Sequence, residues 1–68
     1  MSTLTRKVAA RIVQLREERG MTQEQLAAKA GINRVTLARL ERAMHQPTLD
    51  TLGQLAQALG VGLVKLLG

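Results

Sequence analysis

Leu4, Val8, Ile12 and Leu15 recur at steps of three and four residues, with Arg6, Lys7, Arg11, Glu17, Glu18 and Arg19 between and beyond them. That spacing predicts an amphipathic helix over residues 4–19, and Gly20 supplies the left-handed residue that commonly ends one. Thr22 and Gln25 make a T-x-x-Q capping box, and Met21 is placed to staple onto Leu26, so a second helix is predicted over 23–30. Gly31 closes it early, leaving Leu26, Ala27 and Ala30 as a narrow apolar stripe that needs neighbours. Asn33 is a good N-cap and Ile32 can staple onto Leu37, which predicts a third helix over 34–42. Pro47 forces the preceding residues toward extended geometry, and Thr48 then caps a fourth helix over 49–59. Leu49, Leu52, Leu55, Ala56 and Leu59 share its apolar face, Gly60 ends it, and residues 63–67 form a short fifth helix. Gly53 inside the fourth helix costs about 1 kcal/mol relative to alanine; a close approach by a neighbouring helix is its expected reason.

Only three residues, one of them glycine, separate the second and third helices, the spacing of a helix-turn-helix. Gln25-Leu26-Ala27 leading to Gly31-Ile32 is echoed by Gln54-Leu55-Ala56 leading to Gly60-Val61, so helices four and five can pose as a second such unit. The fifth helix carries one lysine among aliphatics, whereas the third carries Arg34, Arg39 and Arg42. The echo is therefore read as one way of ending a helix used twice.

Twelve leucines and nine alanines in 68 residues, with no aromatic residue, favour an all-α class: a compact five-helix bundle forming one domain over residues 1–68. With no cysteine and a single histidine, neither a disulfide nor a zinc site can brace it, so helix packing must hold the fold and no metal or cofactor is expected. Ten Lys and Arg against five Asp and Glu give a formal charge of +5, which suits a polyanionic partner; a merely basic surface is the alternative.

The third helix adds chemistry to that charge. Leu37, Leu40 and Glu41 fall on one side, leaving Val35, Ala38, Arg39 and Arg42 on the other, with Arg34 projecting from the first turn. Arginine at both ends with small apolar groups between suits the DNA major groove, where Arg reads guanine O6 and N7 and an apolar group meets the thymine methyl. Arg34, Val35, Thr36 and Arg39 are the candidate base readers. Gln23 at the start of the second helix, Asn33, Arg42 and His45 are candidate phosphate contacts. An ordinary solvated helix face is the competing reading.

The stretch RIVQLREERGMTQEQLAAKAGINRVTLARLER followed by PTLDTLGQLAQALGV resembles the lambda-repressor-like, or Cro/Xre-type, helix-turn-helix family over nearly the whole chain. The resemblance implies a dimer with the third helix in the major groove of a partly palindromic double-stranded operator, acting as a transcriptional regulator and most simply a repressor. It also implies contact roles for Gln23, Arg34, Val35, Thr36 and Arg39, and a structural ion pair between Arg16 and Glu41. Two positions depart from the family pattern. Ala43 stands where glycine is common, so either alanine is strained there or the chain leaves the helix differently. Val64 stands where a polar residue is expected, making the C-terminal segment more apolar than one core face requires. Leu63, Val64 and Leu67 are accordingly candidates for a two-fold interface, with extra core burial as the alternative.

No H-E-x-x-H, nucleophile elbow or complete dinucleotide fingerprint occurs, so no enzymatic activity is expected. Nor is there an apolar run long enough to span a membrane or act as a secretion signal, and a cytoplasmic location without membrane partner, small-molecule substrate or separate effector domain is expected. Sequence-tolerant single-strand binding wants aromatic stacking platforms that the chain lacks. The remaining rival is a protein-interaction module on the same scaffold, such as an antitoxin or a coactivator.

Overall fold

The ends of the helices explain the architecture. In the computed structural model, which describes residues 2–68, five helices follow one another: α1 Thr3–Glu18, α2 Gln23–Ala30, α3 Arg34–Glu41, α4 Leu49–Leu59 and α5 Leu63–Leu67. Met1, the first residue of the expected domain, lies outside the described residues. Ser2, Thr22, Asn33 and Thr48 each stand in extended backbone at a helix start and accept a first-turn N–H with their side chains. The Thr22 box is reciprocal, with Thr22 N–H donating to Gln25 Oε1 at 2.9 Å and Gln25 N–H to Thr22 Oγ1 at 3.0 Å. α1 begins one residue earlier than the periodicity indicated, because Ser2 rather than a residue inside the stripe caps it.

The first four helices end in the same way. Two bonds from the residues just past the end reach back five and three positions, as in Met21 N–H to Arg16 O and Gly20 N–H to Glu17 O. The pattern recurs at Gly31 and Ile32, at Ala43 and Met44, and at Gly60 and Val61. It is a Schellman motif, and it needs a left-handed residue at its pivot. Glycine supplies that residue three times; at the end of α3 the pivot is Ala43, with φ of 55°. α3 stops at Glu41 with Arg42 as its cap, one residue short of the expected end.

A single apolar cluster joins all five helices: Val8, Ile12 and Leu15 of α1, Leu26, Ala27 and Ala30 of α2, Leu37 and Leu40 of α3, Leu52, Leu55, Ala56, Ala58 and Leu59 of α4, and Leu66 of α5. α2 packs on both α4 and α3, while α1 packs on α5 and α3. Met21, Ile32 and Val61, each following a glycine pivot, fold back onto the core, whereas Met44 after Ala43 is 58% exposed.

Three expectations from periodicity are corrected. Leu4 and Leu49, placed on buried stripes, are 55% and 67% exposed. Both lie in the first turn of their helices. Thr5 is buried in place of Leu4, its hydroxyl paired with Ser2 Oγ at 2.9 Å, which offsets the cost of removing it from water. Gly53 marks no close approach, since a Cβ there would meet nothing within 4 Å.

Candidate nucleic-acid interface

α3 is held by its buried side and offers the other. Leu37 and Leu40 are anchored in the core, while Arg34, Val35, Arg39 and Arg42 are exposed and Ala38 is half-exposed. Val35, at 50% exposure, lies between the guanidinium-bearing positions and beside Ala38 one turn on. Thr36 sits on the flank of this face and is half-buried. Asn33 is exposed, with Oδ1 accepting the Val35 N–H at 2.7 Å, so the residue that starts the helix also fixes the entry to its exposed face.

Behind the face lies a polar cluster that sets the angle of α3 against α1 and α2. Arg16 Nε donates to Glu41 Oε2 at 2.7 Å and Arg16 NH2 to Glu41 Oε1 at 3.1 Å, a forked pair between residues 25 positions apart. Arg16 NH1 also donates to the Met21 carbonyl at 2.8 Å, so one guanidinium ties α1 to both the α1–α2 turn and the end of α3. The two side chains are only 13% and 5% exposed. The hydrogen bond from Arg16 to Glu41 raises the guanidinium pKa further above its ordinary value, and the group stays charged at any accessible pH.

Gln23 joins this cluster, its Nε2 donating to Glu41 Oε1 at 2.9 Å. The bond was not legible in the sequence, because it links the first turn of α2 to the last turn of α3 and follows no local spacing. Gln23 is therefore half-buried and turned toward α3, with one amide hydrogen and its Oε1 left over. Arg42 is the exposed cap of α3, and His45 is half-buried in the α3–α4 connection. The fifth helix divides the expected interface residues: Leu63 packs against the core, while Val64 and Leu67 face outward at 78% and 38% exposure.

Glu41, the one acidic residue of α3, is paired with Arg16, so the exposed charged groups of α3 and its cap are Arg34, Arg39 and Arg42. Two short helices at a glycine turn, the second offering such a face, define the class of a helix-turn-helix DNA-binding domain. The chain belongs to the Helix-turn-helix family, whose sequence pattern matches residues 12–66. It is 46% identical over 59 residues to an uncharacterized HTH-type transcriptional regulator, y4dJ, of Sinorhizobium fredii, covering 87% of this chain and 77% of that one. It is 44% identical over 61 residues to the immunity repressor protein of Bacillus phage phi105, covering 90% of this chain but 42% of the repressor, so it spans less than half of that relative. Among solved structures, the restriction-modification controller protein C.Esp1396I, crystallised as a tetramer with its natural 35 base-pair operator, superimposes with a TM-score of 0.88 at 32% identity, covering 98% of this chain and 97% of that one. Among the described residues no helix is long and apolar enough to cross a membrane, and no group of three or more acidic or imidazole side chains is placed to hold a metal ion.

Proposed function

We propose that this chain is a sequence-specific regulator of transcription that binds double-stranded DNA as a homodimer, most simply as a repressor, in the compartment that holds the DNA, the cytoplasm. The observation that carries the reading is the outward face of α3, where Arg34, Val35, Arg39 and Arg42 are solvent-exposed while the one carboxylate of the helix is withdrawn into the Arg16 pair. Arg34 and Arg39 read guanines, Val35 meets a pyrimidine methyl, and Thr36 on the flank reaches an adjacent base or phosphate. Gln23 with the free N–H groups of the α2 start, Asn33, Arg42 and His45 grip phosphates on either side.

An α3 of eight residues is about 12 Å long and spans only about four base pairs. Two copies reading a partly palindromic operator one turn apart supply the missing information. Val64 and Leu67 on α5, exposed as Leu4, Met44 and Leu49 also are, are apolar groups available to join them. The same exposed pair favours a second reading, a module whose chief partner is another protein. Selection from random duplexes followed by titration at several salt concentrations separates the two. Affinity for the selected duplex should fall ~10³-fold or more between 50 and 200 mM salt; salt-independent or undetectable duplex binding would leave the protein partner as the function.

A further inference from the structure

The bonding around α3 limits which bases it can recognise. Adenine is read by an amide that uses its oxygen and nitrogen together, cytosine by a carboxylate, guanine by Arg, and thymine through its C5-methyl by an apolar group. Asn33 Oδ1 accepts the Val35 N–H and Gln23 Nε2 donates to Glu41, so each amide is oriented by a bond within the protein. Glu41 accepts three hydrogen bonds, two from Arg16 and one from Gln23, and sits almost fully covered. Gln46, the amide of the α3–α4 connection, lines a groove with Leu4 and Leu67. The exposed groups of α3 and its cap are three guanidiniums and the aliphatic Val35, with half-exposed Ala38 one turn on and half-buried Thr36 on the flank.

We infer that Val35 recognises a pyrimidine by its C5-methyl group alone, between guanines read by arginine, so that at this position the domain treats thymine and 5-methylcytosine as the same feature and responds to cytosine methylation of its site. This rests on the DNA-binding reading above. Thymine and 5-methylcytosine differ at position 4, one presenting an acceptor and the other a donor, and aliphatic Val35 and Ala38 have no polar atom to tell them apart. Uracil and cytosine lack the methyl and lose the contact.

The test uses the intact chain and its selected duplex, with each pyrimidine of the half-site replaced in turn while its partner base is kept. At one position per half-site, uracil should bind about four-fold more weakly than thymine, the worth of one buried methyl. At the same position, with guanine opposite, cytosine should bind more weakly than 5-methylcytosine by the same factor. Val35→Ala, a substitution at an exposed site whose folding circular dichroism can verify, should bring both ratios close to one. Ratios near one for the original protein at every position would overturn the inference. So would a methyl effect in the A·T pair absent from the G·C pair, which would assign the reading to a polar group such as the Thr36 hydroxyl. If no duplex binds in a salt-dependent way, the DNA-binding reading itself is lost, an outcome distinct from salt-dependent binding that ignores the methyl.

Discussion

Ala43 carries the clearest residue-scale cost in the molecule. It occupies the pivot of a Schellman motif at φ 55°, where Cβ crowds the backbone and an L-residue is disfavoured by about 1–2 kcal/mol. Ala43→Gly relieves this but frees the unfolded chain, so a net gain of about 1 kcal/mol is expected, raising the melting temperature by roughly 4–8 °C; an unchanged or lower midpoint would contradict it. Gly53 is the converse case, a half-buried glycine in mid-helix with open space where a Cβ would go. Gly53→Ala should stabilise by about 0.5–1 kcal/mol in urea unfolding. Glu41 has the largest stake. Its removal strands a nearly covered guanidinium and releases Gln23, and Glu41→Ala should cost about 3–5 kcal/mol, comparable with the whole stability of a chain this size. A loss below about 1 kcal/mol would rank the pair with exposed surface bridges.

At the scale of elements, the proposed function divides α3 into a reading part and a gripping part. Arg34→Ala or Arg39→Ala should relax preference at one base pair each, by about 1–3 kcal/mol on the favoured base. Arg42→Ala, by contrast, should weaken all duplexes alike and lower the salt slope by about one. A selective effect of Arg42 would move it into the reading set. These elements were largely legible beforehand, because α2, α3 and α4 each carry a capping side chain, and α1, α2 and α4 a terminating glycine, within a few positions of the apolar stripe. Burial in the first turns was not legible: Leu4 and Leu49 keep the register of their stripes yet stand exposed, whereas Thr5 is buried with its hydroxyl paired to Ser2, which a hydropathy pattern cannot register.

The whole molecule measures 27 × 23 × 21 Å, so two copies side by side can place their α3 helices at the ~34–36 Å of one DNA turn. Val64 and Leu67 make α5 the apolar side from which such a pair can form, and the core position of Leu63 leaves it a supporting role. Val64→Glu should leave the monomer folded, since that side chain covers nothing, while shifting sedimentation toward monomer and weakening binding to a two-half-site duplex more than to a single half-site. A sedimentation profile unchanged by Val64→Glu would remove α5 from the interface.

Local chemistry alone determined the number of helices, their ends to within a residue, and the arginines of the third, because caps, glycine pivots and apolar period act within a few residues of chain. Which polar groups remain free to meet DNA was decided only when the helices packed. Glu41, Gln23 and Arg16 come from three helices and meet only in the folded chain, and Asn33 faces either a base or its own helix according to the turn it closes. Hydrogen bonds between distant residues follow no sequence spacing, so the orientation of these polar groups is a property of the tertiary structure.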